Sequence, residues 1–230
     1  MVRISKRKKV LNTIVELGKL YNLKDALSIL KKGPVTKFDQ TAEMAIKLNM
    51  DPKQTATPVR GMVKLPHGTG KKIKVAVFCK GEDERKAKDA GADIVGGDDL
   101  VAKVAAGWTD FEIAIATPMM MKDMGRLGKI LGPKGLMPNP KAGTVTTDVT
   151  NAIKEVKAGR IEFKMDKQGN VNCAFGKMSF DEAILYENAV TLLKSVLKAR
   201  PASAKGHFFK SVAISSTMGP GVRIDLSEFK

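Results

Sequence analysis

Apolar residues recur along this chain at more than one spacing, and the changes of spacing mark out its parts. Leu23, Ala26, Leu27 and Leu30 stand three or four apart, as on one face of a helix. Residues 1–33 therefore read as two short helices, the second capped by Asn22 and stopped at Gly33 and Pro34. From Lys37 the period falls to two. Ala42, Met44, Ile46 and Leu48 face one way and Glu43, Lys47 and Asn49 the other, which predicts a half-buried strand ending at Asp51 and Pro52. Residues 60–65 predict a second strand. Between Gly68 and Gly159 the apolar runs become short and continuous, at 73–78, 92–96 and 111–116, with helical segments between them. That texture belongs to βαβ units whose parallel sheet is covered on both faces.

After Gly159 the alternation returns, with Ile161, Phe163 and Met165 against Arg160, Glu162 and Lys164, a turn at Lys167, Gln168 and Gly169, and a strand over 170–176. Ser179 and Glu182 have the spacing of a capping box for a long helix striped by Leu185, Ala189, Leu192, Leu193, Val196 and Leu197 and stopped at Pro201. Val212 and Ile214 then alternate with Ser211, Ala213 and Ser215, pause through a turn of small residues over 216–221, and resume at Val222 and Ile224. The simplest architecture is discontinuous: an α+β domain made of residues 1–67 and 160–230, with an α/β domain, 68–159, inserted between two glycine-flanked crossings.

Charge then narrows the chemistry. Forty Lys and Arg against 24 Asp and Glu leave a net charge of +16 on 230 residues, enough to steer the protein toward polyanions. The two outer segments hold 25 basic and 12 acidic residues, so +13 of the total lies there, helped by the run Lys6, Arg7, Lys8 and Lys9. No apolar run approaches membrane-spanning length, and the first residues, MVRISKRKKVL, lack the apolar centre of a signal peptide. A cytoplasmic protein without a membrane partner is expected. Cys79 and Cys173 have no metal or disulfide spacing and read as core fillers.

A parallel sheet raises the question of a nucleotide. After the strand at 73–78 come Lys80, Gly81 and then Glu82, Asp83 and Glu84, one glycine and three acids where a dinucleotide site needs GxGxxG and a positive helix end. The stretch from His67 to Lys72 lacks the first glycine and the Ser or Thr of a phosphate loop. His67 and His207, the two histidines, sit beside no nucleophile or metal-ligand signature. Asp98 and Asp99 read as a cap and a first-turn acid of a helix. No catalytic constellation and no cofactor are expected.

Two stretches suit nucleic acid better. Residues 125–143, GRLGKILGPKGLMPNPKAG, join glycine and proline to Arg126, Lys129, Lys134 and Lys141, with Lys122 just before and Asp123 as the one nearby acid. Residues 118–131 can continue as one helix, while GPKGLMPNPKAG must be an ordered basic loop suited to a phosphate backbone. In 211–225 the glycines and Pro220 predict a tight turn in which phosphate or sugar could reach main-chain amides, with Met218 as a flat apolar contact. An ordinary hairpin with Met218 half buried is the plainer reading of that stretch alone. Phe38, in TKFDQTAE, either tucks into the core or stacks on a sugar or base. Aromatic content of 5% is too low for a single-strand stacking platform, and no major-groove recognition helix is evident. Folded RNA, recognised by shape, sugar hydroxyls and phosphates, remains.

The segments TKFDQTAE, VRGMVKLPHGTGK, GADIVGGDDL, FEIAIATPMMM, GRLGKILGPKGLMPNPKAGTV, KAGRIEF and SSTMGPGV, taken in order, resemble the bacterial-type ribosomal protein L-one family, proteins of the mobile stalk of the large ribosomal subunit. The resemblance covers nearly the whole chain. It implies a split α+β domain with an inserted Rossmann-like α/β domain, and a ribonucleoprotein component without enzymatic activity, monomeric when free of the ribosome. It further implies binding of large-subunit rRNA at the stalk, a tRNA-binding role in releasing deacylated tRNA from the exit site, and regulation of translation as a repressor of its own operon mRNA. Carried over by position, the rRNA contacts fall on Lys37, Phe38, Thr41 and Glu43 and on Thr217, Met218 and Gly219, with Lys177 and Ser179 beside them. Two departures stand out. Gln40 occupies a place where the family commonly carries an acid, and residues 170–175 lack the family's usual polar pair before Ala-Pro.

Overall fold

The structure, a computed structural model, describes residues 6–16, 18–33, 36–50, 59–201, 204 and 206–227. Its elements in chain order are α1 (Lys6–Ile14), α2 (Leu23–Lys31), β1 (Thr41–Leu48), β2 (Arg60–Lys64), β3 (Val75–Phe78), α3 (Glu82–Asp89), β4 (Ile94–Gly96), α4 (Asp98–Ala105) and β5 (Ile113–Ala116). There follow α5 (Met121–Arg126), α6 (Gly128–Leu131), α7 (Val149–Lys157), β6 (Arg160–Lys164), β7 (Asn170–Lys177), α8 (Glu182–Lys198), β8 (Phe209–Ser216) and β9 (Val222–Ile224), with 3-10 turns at Pro118–Met120 and Pro140–Ala142. The mixed α/β class expected from the periodicity is what the chain adopts. Two expected stops, at Pro34 and at Asp51 with Pro52, lie outside the described residues. The chain divides into two compact units, Met1–Gly70 with Ile161–Lys230, and Lys71–Arg160.

In the first unit β1 lies inside a four-stranded antiparallel sheet of order β7-β1-β8-β9. Its alternation puts Ala42, Met44, Ile46 and Leu48 into the core and leaves Glu43 and Ala45 exposed. The core is closed by Leu23, Ala26, Leu27 and Leu30 of α2 and by Leu185, Ala189, Leu192, Leu193 and Val196 of α8. Burial at about 25 cal/mol per Å² of apolar surface makes this the main stabilising term of the unit. β2 and β6 form a separate ribbon, where a side chain on Gly61 would collide with the Phe163 ring at 2.6 Å. Cys173 is buried in this unit and Cys79 in the other, and burial pushes their thiols up to about 12 and about 11.

Asn188 is a polar residue that the apolar stripe of α8 conceals. Fully buried, it donates from Nδ2 to the carbonyls of Phe175 at 2.9 Å and Gly68 at 3.0 Å, and accepts the His67 N–H at 3.3 Å. The neighbouring Glu187 meets His67 Nε2 at 2.7 Å. Residues 67 and 68 are thus fastened to the long helix by the part-buried bonds to Asn188, where an unpaired group is expensive, and by the exposed pair of His67 with Glu187.

The second unit is built on the parallel sheet β4-β3-β5. All four residues of β3 are buried. Val75 and Val77 pack toward α3 and α7 through Ala87, Val149, Ile153 and Val156, whereas Ala76 and Phe78 pack toward α4, the 3-10 turn at Pro118–Met120 and α5 through Leu100, Val104, Met120 and Met124. Two covered faces explain the continuous apolar runs.

Several local expectations are corrected. Ser179 and Glu182 do not form a capping box: Asp181 is the N-cap of α8 and makes no side-chain cap bond, Ser179 is bonded to Asp39, and Glu182 accepts from Ser28 at 2.8 Å. A main-chain turn from Lys177 to Phe180 delays the helix start beyond the position the box requires. Asn22 holds the N-cap position of α2 without a side-chain cap bond. Gly97, not Asp98, is the N-cap of α4, and both aspartates lie in its first turn. The single helix expected over 118–131 is a 3-10 turn followed by α5 and α6, which meet at the buried Leu127; Gly125 and Gly128 on either side lower the cost of the break.

Candidate nucleic-acid interface

Antiparallel pairing alone brings the two predicted loops together. β1 begins at Thr41, opposite Lys177 of β7, and Ala42 stands opposite Ser216, the last residue of β8. The loop entering β1 and the turn leaving β8 therefore share one end of the sheet. They are joined by side chains as well as strands. Thr41 N–H donates to Thr217 Oγ1 at 3.0 Å, Thr217 N–H donates to the Thr41 carbonyl at 3.1 Å, and Met218 N–H donates to Gln40 Oε1 at 3.0 Å. Lys177 Nζ donates to Thr41 Oγ1 at 2.9 Å. On the other flank Asp39 accepts the Ser179 N–H at 3.2 Å and its hydroxyl at 2.8 Å. Arg7 of α1 donates to the Met218 carbonyl at 3.2 Å, so the basic run of the first helix reaches the same turn.

The surface of this seam is apolar at two points. Phe38 is 53% exposed, which decides against the core for it, and Met218 is 50% exposed, the half-buried state that an ordinary hairpin would also give it. The Phe38 loop is shaped by Thr36, whose hydroxyl donates to the Phe38 carbonyl at 2.6 Å. Lys37 is exposed beside it, and Glu43 is an exposed residue of β1 between Ala174 and Ser215 of the flanking strands. A side chain on Gly219 would run into Ser216 Oγ, which would have to turn away.

One expectation about the turn is corrected. Neither Gly219 nor Gly221 has a positive φ, and the amides of Thr217, Met218 and Gly219 are all engaged within the protein, the last with the Ser216 carbonyl at 2.9 Å. The first two join the loops, the third closes the turn on itself, and none of the three is open to an anion. Of the other predicted residues, Lys177 and Ser179 also act inside the seam, holding Thr41 and Asp39. Asp39, Gln40 and Arg7 were not singled out as contacts by sequence. Arg7 lay unmarked in a basic run, and the partners that give Asp39 and Gln40 their roles are more than a hundred residues away.

The second unit carries the remaining predicted cations. Arg126 and Lys129 are exposed in α5 and α6, Lys134 donates to Thr109 Oγ1 at 2.5 Å, and Lys141 lies in the 3-10 turn Pro140–Ala142. The basic loop is ordered as expected, with Leu136 and Met137 packed on the core. Arg126 also lines a crevice of about 550 Å³ with Lys80, Asp98 and Asp123. Lys80 is paired there with Asp98 at 2.7 Å, and that hydrogen bond raises its pKa above the ordinary lysine value. Two acids and a committed lysine make a poor seat for a nucleotide phosphate. Among the described residues no group of His, Cys, Asp and Glu stands where it could hold a metal ion, and no helix is long and apolar enough to cross a membrane.

These features define a two-unit α/β protein whose terminal segments meet in one small-residue seam. The chain belongs to the Ribosomal protein L1p/L10e family, whose sequence model matches residues 30–220. It is 53% identical over 228 residues, 99% of this chain and 97% of the other, to the protein of Protochlamydia amoebophila named large ribosomal subunit protein uL1. Proteins of the same name from Chlamydia caviae, 50% identical over 228 residues (99% of this chain and 98% of the other), and Kosmotoga olearia, 51% identical over 225 residues (98% and 97%), are similarly close.

Proposed function

We propose that this protein is a structural component of the large ribosomal subunit that binds folded large-subunit rRNA at the stalk through the seam between the Phe38 loop and the Thr217–Gly219 turn. The observation that carries the reading is the half-exposure of Phe38 and Met218 on two loops that are already hydrogen-bonded to one another. A rigid, flat, partly apolar surface gains from stacking and sugar contact with little ordering cost. Net charge supplies attraction, and shape supplies choice.

In this reading the discontinuous domain, residues 1–67 and 160–230, holds the rRNA contacts Lys37, Phe38, Thr41, Glu43, Thr217, Met218 and Gly219. Lys177 and Ser179 act mainly by positioning, because their polar atoms hold Thr41 and Asp39. The inserted domain, 68–159, makes a lesser contact through Arg126, Lys129, Lys134 and Lys141. Release of exit-site tRNA and repression of the protein's own operon mRNA, by an RNA fold like that of the stalk, complete the proposal. The protein works on the cytoplasmic ribosome, without catalysis, and is a monomer when free.

Hydroxyl-radical footprinting of the protein on total ribosomal RNA tests this. Protections should gather in one structured segment of the large-subunit RNA. Uniform weak protection, or none, would overturn the proposal.

A further inference from the structure

The polar groups of the seam are almost all spent on one another. The Thr217, Met218 and Gly219 amides, the Ser179 amide and hydroxyl, and the Thr41 amide each donate to a partner within the protein. Gln40 differs. Its carbonyl accepts the Met178 N–H at 2.8 Å and its Oε1 accepts the Met218 N–H at 3.0 Å. The reverse amide orientation would set donor against donor, so the network fixes the assignment. Nε2 is left with two N–H donors and no acceptor among the described residues. Gln40 is partly exposed, two positions after Phe38 and bonded to the Met218 N–H, so it adjoins both apolar points of the surface.

We propose that Gln40 is a specificity-determining residue of the RNA site: with Oε1 holding the turn, Nε2 takes one acceptor oxygen of the RNA, either a non-bridging phosphate oxygen or a ribose 2′-oxygen. The inference rests on the rRNA reading above. An amide nitrogen in this orientation cannot accept, so it turns away base amino groups and fixes which groups of a folded RNA lie over the seam. Being uncharged, it contributes affinity without counterion release, unlike a lysine on phosphate.

The test uses the full chain and a transcript of the stalk segment of large-subunit ribosomal RNA. Wild type is compared with Gln40→Glu, which keeps an acceptor for the Met218 N–H but loses both donors, and with Gln40→Met, which loses the amide altogether. Binding is selected from two pools of the transcript, one carrying random phosphorothioates and the other random 2′-deoxy sugars. For wild type, one position in one pool should weaken binding about three- to tenfold, the range of a single hydrogen bond. The same position should be silent in both variants, and their affinity should fall by a similar factor, for Gln40→Met with the salt dependence unchanged. A phosphorothioate position identifies phosphate, and a deoxy position identifies the sugar. If wild type leaves a footprint on the transcript but every interference position persists in both variants, the role given to Gln40 is wrong. If wild type leaves no footprint, the rRNA reading beneath it is wrong as well.

Discussion

Thr41 and Thr217 stand 176 positions apart and hold one another at the sheet end, the Thr41 amide donating to the Thr217 hydroxyl at 3.0 Å while the Thr217 amide donates to the Thr41 carbonyl at 3.1 Å. The pair converts two surface loops from opposite ends of the chain into one surface. Thr217→Val has nearly the same shape but cannot accept the Thr41 N–H. It should cost about 1 kcal/mol of unfolding free energy, measured by urea denaturation. A loosened seam should also bind the stalk transcript more weakly. Wild-type behaviour in both assays would show that the loops are aligned by strand pairing alone.

Lys37 is exposed next to Phe38, and in the proposed function it meets a phosphate. Lys37→Ala should reduce the slope of log affinity against log salt by about one unit while leaving the melting temperature unchanged. Equal slopes would remove Lys37 from the contact.

Asn188 joins α8 to β7 and to residues 67 and 68 through three main-chain groups. Asn188→Leu fills the volume and leaves two carbonyls and one N–H without their partner. A loss on the order of 2–4 kcal/mol is expected, read from the urea midpoint of the full chain. A change within 0.5 kcal/mol, the size of an ordinary surface substitution, would mean that those groups find other partners.

Asp93, just before β4, links the start of the middle strand β3 to α7. The Val75 N–H, donating at 3.0 Å, is the main cause that holds its carboxyl below the ordinary aspartate range, and Lys157, 3.5 Å away, adds to it. A depressed folded value means that its stabilisation is present above the unfolded carboxylate pKa and is lost as pH falls through the lower folded one. Urea midpoints measured from pH 6 down to pH 3 should therefore fall less steeply in Asp93→Asn than in wild type. Identical acid slopes would count against the bond.

Much of the fold is legible from spacing, for physical reasons seen in particular elements. β1 alternates because only one of its faces is covered, and β3 does not because both are. The failures also share a cause. Ser179 and Glu182 fit a local capping rule, yet Asp39 and Ser28, 140 and 154 positions away, take their side chains. Small residues at 216–221 suggested open amides, but the partners that occupy those of Thr217 and Met218, Thr41 and Gln40, belong to the other terminal segment. Asn188 lay hidden in an apolar stripe because its partners are main-chain groups, which leave no mark in side-chain pattern. Short-range signals locate elements; who bonds to whom across the sheet needs coordinates.

In the proposed function the seam itself, and not the general positive charge, selects the RNA. Met218→Asp is the sharpest probe, because Met218 is half exposed and lies outside the apolar core of its unit. Affinity for the stalk transcript should fall by about 2–4 kcal/mol, as a carboxylate is pressed against sugar and phosphate in a close contact, while binding to unrelated RNA falls far less and the melting temperature holds. Unchanged affinity for the stalk transcript at constant salt would contradict the account.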